Sequence, residues 1–556
     1  MDRPPTPASA RAAAWLRAHA PELLFALLLL AVLPMRDLWA PDEPDFAQCV
    51  KEMRLRSEWL LPYMNGVPYS EKPILYYWVM KVSALAMDGL TGGLGFTQGV
   101  AAWALRLPSV VAGVAFVAAF RRWAQRVAGA GRARTAALVL ASGPLWFWQS
   151  QFIQIDLLFS AMLAWSWLCW LEGYLRLKCG QEAGARRSFL QAYFWLSLAF
   201  LAKGPLAPVL SVMVLAAFLA WQRDWAVLGR VRILAGLGLT ALVVAPWYVA
   251  AGLKGGAHYA YELIVFQNFE RATKAWDHIQ PWWRYGEYLL GDFFPWVLLL
   301  PAVGLHLRRQ GRLADPAVRF LALAFLVPFC FLSAVQSKQG KYLLMAHPFL
   351  ALLVADLIEG LEPPRARRLG GLLAGAMAMP AIALSALALG AGGVRVQSQL
   401  GPYLGPVRIL ALVALGGVLV LVHAAWRGRA ARLIPAAALT LGLLYLVGGT
   451  WGFRLLDDTK SYRRWSAAVR PMIAGRKVFY WQTIRSGVMV YTDHLMPELR
   501  RSEALASLDP EARLVAQRRE WEQDAWGMTP ALRERFEVLL AVPTGGGEIL
   551  LLRRKP

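Results

Sequence analysis

Apolar residues run through most of this chain in blocks too long for a water-soluble fold. A helix needs about 20 mostly apolar residues to cross the hydrocarbon core of a bilayer. Thirteen stretches approach that length: 22–38, 99–120, 135–150, 155–175, 189–203, 204–221, 233–251, 287–307, 320–336, 341–359, 370–391, 406–425 and 433–453. Lys203-Gly204-Pro205 interrupts the run 189–221, which predicts two helices joined by a tight turn. The run Leu23–Leu33 has the length of a secretory h-region, but no small-x-small cleavage site follows, so it is read as an uncleaved first span. The pattern predicts an all-α polytopic membrane domain over 1–453, with long polar loops at 39–98 and 252–286. After Phe453 the composition becomes that of an ordinary soluble segment. There Val478–Trp481, Val488–Tyr491, Glu537–Val542 and Glu548–Leu552 predict strands, and Pro510–Glu522 and Pro530–Arg535 predict helices. Residues 454–556 are therefore expected to form a small α/β domain.

Composition narrows the class. The 556 residues are 57% hydrophobic and 17% charged, with a formal net charge of +23 and a mean hydropathy of +0.41. A nucleic-acid binder this basic would not be this apolar, and a disordered basic chain would lack the 25 Trp. The charge is unevenly placed. The segments 1–21, 121–134, 176–188, 222–232, 308–319, 360–369 and 426–432 hold 25 Lys/Arg against Asp2, Glu182, Asp224, Asp315 and Glu362, a net +20. By the positive-inside rule these seven are cytoplasmic, and an odd number of spans then puts the C-terminal domain outside. Cys49, Cys169, Cys179 and Cys330 are scattered with no CxxC pair, so neither a disulfide framework nor a Cys-based zinc site is expected.

The residues that suit chemistry gather on the opposite side. Asp42, Glu43 and Asp45 follow the first span, and such a cluster serves a general base, a metal ligand or a substrate clamp, or is a solvated interfacial loop. Glu71 and Lys72 precede Pro73 at the start of an apolar helix, where a lysine could hold a lipid phosphate or simply mark a helix start with Tyr/Trp anchors. Asp156 and Lys203 are lone charges at the outer ends of apolar segments, functional candidates by cost, with snorkelling as the alternative for the lysine. The second long loop offers Arg271, the Gln280-Pro281-Trp282 aromatic region, His258 and His278. A divalent metal held by Glu71 with His258 or His278 is a further expectation, although no HxxxH spacing supports it. Ser337-Lys338-Gln-Gly-Lys341-Tyr342 caps a short outer turn.

Asp42-Glu43-Pro44, Leu61-Pro62-Tyr-Met-Asn65-Gly66-Val-Pro68-Tyr69-Ser-Glu71-Lys72-Pro73, Ala202-Lys203-Gly204-Pro205 and the Gln280-Pro281-Trp282 region together resemble bacterial polyprenyl-phosphate-sugar glycosyltransferases. They are most similar to the lipid A aminoarabinose transferases, with wider kinship to protein O-mannosyltransferases of the C-type glycosyltransferase fold. The resemblance implies an inner-membrane enzyme that moves a sugar, 4-amino-4-deoxy-L-arabinose, from undecaprenyl phosphate to lipid A phosphate with inversion. It implies Asp42 as main catalytic carboxylate, with Glu43 beside it and Asp156 as second acid. Lys72, Lys203, Arg271 and Tyr342 would bind the donor phosphate, and Tyr69, Tyr76 and Trp282 would line the substrate and lipid cavity. No nucleotide or redox cofactor and no nucleic-acid partner is expected, and a monomer among membrane lipids is. Relatives commonly carry Arg-Tyr after Asp-Glu-Pro, where this chain has Asp45-Phe46. That departure leaves open another polyprenyl-linked sugar or a protein or glycan acceptor. A lipid flippase or transporter is the rival class, and predicts midplane charges and inverted repeats that are not evident.

Overall fold

A computed structural model of the chain describes residues 7–91, 102–270, 278–393, 400–482, 485–523, 527–544 and 547–555. Each of the thirteen apolar stretches is helical over most of its length. Among the described residues, however, only eight helices are both long and apolar enough to cross a membrane. A ninth span results if Arg284–Asp292 and Trp296–Arg309, bent by 112° at their junction, count together. Helix length among the described residues therefore does not confirm the count of thirteen. Ala18–Val32 and Leu206–Gln222 are shorter apolar helices, and the stretch 135–150 is split by Gly143-Pro144 into Ala130–Ser142 and Pro144–Ser150. The chain is a multi-pass membrane protein.

The residues divide into two compact units, Met1–Val32 with Glu71–Leu75 and Ser109–Thr450, and Leu33–Ser70 with Tyr76–Pro108 and Trp451–Pro556. In the first unit, burial separates core helices from lipid-facing ones. Helix Ile155–Lys178 is 78% and segment Gly340–Glu359 is 89% buried over the apolar window, whereas the more apolar Ile233–Gln267 is 17% buried. Leu234, Leu237 and Leu242 on that last helix are exposed, as expected for side chains solvated by acyl chains rather than by water. Close helix approach needs small residues: a Cβ on Gly173 would lie 2.7 Å from the Phe189 ring.

The second unit joins the first long loop to the C-terminal segment, so the boundary expected at 453/454 does not isolate the C-terminal residues from 33–70 and 76–108. Hydrogen bonds supply the reason. Lys51 Nζ donates to Val490 O at 3.0 Å, and Asn65 exchanges two bonds of 2.8 Å with the Met496 backbone. A two-stranded ribbon, β1 (Tyr63–Met64) and β2 (Val67–Pro68), pairs antiparallel across Asn65-Gly66. Both turn residues have positive φ, +54° and +84°, the conformation that favours Asn-Gly in tight hairpins. Five further strands, β3 (Val478–Trp481), β4 (Glu498–Leu499), β5 (Arg513–Gln517), β6 (Phe536–Thr544) and β7 (Gly547–Arg554), form one sheet in the order β4-β3-β5-β7-β6. β3 is parallel to β4 and β5, and β7 is antiparallel to β5 and β6. Trp481, Leu514, Ala516, Leu550 and Leu552 form its core with Trp521 and Phe536.

Two sequence expectations fail in this sheet domain. Residues 510–522 form β5 followed by a short helix, Arg518–Glu522. Every residue of β5 is buried, so no strand alternation is visible in the sequence. Val488–Tyr491 lies in a helix, Ser486–Thr492. All seven residues of that helix are buried, and packing there overrides the β preference of its valines.

Candidate functional site

In the first unit, three lysines and two tyrosines gather around one carboxylate. Asp156 opens helix Ile155–Lys178, at the helix end that favours negative charge, and is 3% exposed. Lys203 is the last residue of helix Glu182–Lys203. Gly204, at φ +85°, lets the chain turn there, and its N–H bonds back to Phe200 O at 2.7 Å. The Lys203 ammonium donates to Asp156 Oδ1 and stands 4.2 Å from the centre of the Tyr342 ring. Lys341 Nζ is 3.7 Å from the other Asp156 oxygen, and Lys72 also acts electrostatically on this carboxylate. Tyr285, fully buried, feels the charges of both Tyr342 and Asp156. Three lysines against one aspartate leave the cluster with a net charge of about +2, the arrangement that binds a phosphate.

The segment carrying Lys341 and Tyr342 is held by its neighbours. Ile279 and Ser337 form a β-bridge, Gln280 N donates to Gln336 O, and Lys338 N donates to His278 O. Lys338 Nζ reaches the carbonyls of Val335 and Gln280. Lysine 338 is thus a loop pin. Trp282, beyond this bridge, is 70% exposed and packs edge-on against Trp283.

The second unit holds a different charged cluster. Glu43 is fully buried and accepts five hydrogen bonds: two from Arg36 at 2.5 and 3.1 Å, two from Arg106 at 2.7 and 2.8 Å, and one from Trp39 N at 2.9 Å. Arg106 also donates to the carbonyls of Arg36 and Asp37. Burial alone would raise the Glu43 pKa, but the guanidiniums of Arg106 and then Arg36 outweigh it and bring it down to about 2. Burial, then the like charge of Arg106, lowers Arg36 to about 10. Glu43 therefore has no open face for a substrate, and its place is that of a buried anchor for the start of helix Asp42–Leu55. Asp42, one residue earlier, is half-buried in the first turn.

The rest of the Asp-Glu-Pro and Asn-Gly motifs is also accounted for. Asp45 accepts from the Ser486 hydroxyl. Phe46 packs against Tyr76 and Tyr77 with ring centres 5.2 and 5.4 Å apart. Glu52 accepts from the turn amides of Asn65 and Gly66 at 2.6 and 2.8 Å. The departure Asp45-Phe46 is thus a pair of structural contacts. Tyr76 is 0% exposed, whereas Tyr69 is half-buried. Arg271 lies outside the described residues. His258 is exposed and pairs with Glu262 at 3.3 Å. Among the described residues no group of three or more His, Cys, Asp and Glu could hold a metal ion, so Glu71 with His258 or His278 is not assembled as a metal site. Lys341, which adjoins Tyr342 in the same motif, has no role expected from sequence yet joins the cluster. Arg106 likewise has no role expected from sequence, although as a lone charge in the apolar stretch 99–120 it meets the criterion that selected Asp156.

A family profile described as dolichyl-phosphate-mannose-protein mannosyltransferase matches residues 71–249. The chain is 30% identical over 444 residues to the undecaprenyl phosphate-alpha-4-amino-4-deoxy-L-arabinose arabinosyl transferase of Yersinia enterocolitica, covering 77% of this chain and 74% of that one. It is 32% identical over 385 residues to the protein of that name in Pseudomonas paraeruginosa, covering 66% of this chain and 64% of the relative's length. Its fold matches the crystal structure of ArnT from Cupriavidus metallidurans in the apo state, with a TM-score of 0.78, 20% identity and 98% of both chains covered. It also matches that protein bound to undecaprenyl phosphate, with a TM-score of 0.77, 20% identity and 95% and 97% coverage. The chain belongs to the undecaprenyl phosphate-alpha-4-amino-4-deoxy-L-arabinose arabinosyl transferase family.

Proposed function

We propose that this protein transfers 4-amino-4-deoxy-L-arabinose from undecaprenyl phosphate to a lipid A phosphate, in one displacement with inversion. The observation that carries the reading is the charge of the Asp156 cluster. The donor is a phosphodiester with one negative charge. As the anomeric C–O bond breaks, the leaving undecaprenyl phosphate gains a second charge, while the acceptor oxygen forms the new C–O bond. Lys72, Lys203 and Lys341, offset by Asp156, supply about +2 where that charge develops, which favours the transition state over the bound donor. Asp156 keeps the lysines in place between turnovers, and Tyr342 fixes the Lys203 ammonium through its ring. Arg271 is assigned to the same phosphate.

A phosphate acceptor is already ionised and needs no general base. Asp42 therefore serves to orient the reacting groups, with Glu43 positioning the helix turn that carries it. A divalent ion has no assigned role in this displacement. By the positive-inside rule the basic segments favour a cytoplasmic N-terminus, and an odd number of spans would then put the C-terminal domain in the periplasm. The test is transfer by the purified protein in lipid, with the undecaprenyl-linked sugar and lipid A, read by mass spectrometry. Lys203→Met and Lys341→Met are each expected to lower kcat by about a hundredfold. Full transfer by both variants would refute the assignment.

A further inference from the structure

At the far end of the segment that carries Lys341, the first unit has a pocket of about 220 Å³. It lies between the end of helix Leu300–Arg309, the end of helix His347–Glu359 and the first turns of helix Pro363–Ala388. Segment Gly340–Glu359 has 20 residues, so at ~1.5 Å per residue this pocket is about 30 Å from the Asp156 cluster, on the opposite face of the bundle. Leucines from all three helices form its floor. His306, Arg309, Gln310, Arg365 and Arg368 form its polar rim, and no acidic residue lines it.

Two nearby acids are already engaged, and Glu362, at the N-cap of helix Pro363–Ala388, is not among the lining residues. Asp356 takes Arg312 at 2.9 Å, Arg132 at 3.3 Å and His306 at 3.4 Å, and Glu359 takes Arg132 at 2.7 Å. Among the described residues Arg309, Arg365 and Arg368 have no hydrogen-bond or ion-pair partner. Helix Pro363–Ala388 moreover begins with no acid in its first turn, so two arginines stand at the end where the helix field is positive. Three arginines without a partner among the described residues thus stand around a leucine-lined pocket that has no acidic lining residue.

We propose that this pocket binds the phosphate of an anionic phospholipid of the leaflet on the basic side, with the acyl chains leaving over the leucine floor. A phosphate accepts from several guanidiniums at once, and bidentate arginine contacts suit it better than any neutral headgroup. The floor distinguishes a lipid from free phosphate, since a soluble anion gains nothing from apolar walls. The site is independent of the donor site in place.

The experiment uses the full-length protein, delipidated in neutral detergent, and reads binding by native mass spectrometry and by Tm. The probes are phosphatidylglycerol, phosphatidylcholine and inorganic phosphate. Phosphatidylglycerol is expected to bind and raise Tm, with phosphatidylcholine weaker and inorganic phosphate without effect at matched concentration. A cation beside anionic lipid is worth about fivefold in affinity, so Arg309→Gln/Arg365→Gln/Arg368→Gln should weaken phosphatidylglycerol binding roughly a hundredfold. Arg367→Gln, one residue from the rim but outside the pocket, should leave it unchanged. The three replaced side chains are exposed, so the lipid-free Tm should hold. Equal loss in Arg367→Gln would reduce the effect to general surface charge and overturn the site. Retained binding in the triple variant would also overturn it, and an equal Tm rise with inorganic phosphate would overturn the lipid.

Discussion

Replacing Glu43 by glutamine removes one charge and almost no volume, and so isolates the ionic part of the Arg36–Glu43–Arg106 cluster. The Glu43 pKa falls from its ordinary value of 4.5 to about 2 on folding. At about 1.4 kcal/mol for each tenfold change in proton affinity, that is ~3 kcal/mol of stability. The same size follows from the cost of leaving buried arginines unpaired, about 3–5 kcal/mol. Because the folded pKa is depressed, the contribution is complete above pH 4.5 and is lost as pH falls from there to about 2. Melting of the detergent-solubilised full-length protein, followed by tryptophan fluorescence, gives the readout. At pH 7, Glu43→Gln should lower Tm by on the order of 10 °C for a unit of this size. The gap between wild type and variant should then close as the pH approaches 2, although other carboxylates titrate in both proteins. A gap that stays constant with pH, or no gap at pH 7, would refute the electrostatic reasoning. The triple replacement Arg36→Met/Glu43→Leu/Arg106→Met should be more stable than Glu43→Gln alone, since it leaves no charge buried without a partner.

Three further outcomes follow from packing and hydrogen bonding. Asn65→Ala loses both bonds to Met496 and places alanine at φ +54°, so Tm should fall by the equivalent of about 2–3 kcal/mol, with sugar transfer per folded molecule kept. Gly173→Ala should cost about 1–3 kcal/mol because its Cβ meets the Phe189 ring, and Phe189→Leu in the same chain should recover part of it, as a double-mutant cycle in Tm would reveal. Lys338→Met frees two carbonyls and the bridge to Gln280, so hydrogen exchange over 278–282 should quicken while helix Ile155–Lys178 stays protected.

What the sequence reveals and what it hides follow from the range of each interaction. Apolar length is a local property, so each apolar stretch could be read directly, whereas the hairpin at Asn65-Gly66 went unread although its backbone preference is equally local. Span count was less secure because Gly143-Pro144 and the break after Asp292 cut apolar runs that remain continuous in composition. Lone charges in apolar segments were informative because burying an ion without a partner is costly, and this found both Asp156 and Lys203 without showing that they pair. Their separation is 47 residues, and that of Glu43 and Arg106 is 63. No local pattern encodes such pairings. The Asp42-Glu43-Asp45 cluster misled for the opposite reason. Adjacent in sequence, the three read as one acidic site, but a helix turns ~100° per residue. Asp42 and Asp45 therefore share a side while Glu43 is carried round into the core. A single sequence gives the charges on such a turn but not the direction of its first residue, which is set here by two arginines and a tryptophan amide from elsewhere in the same unit.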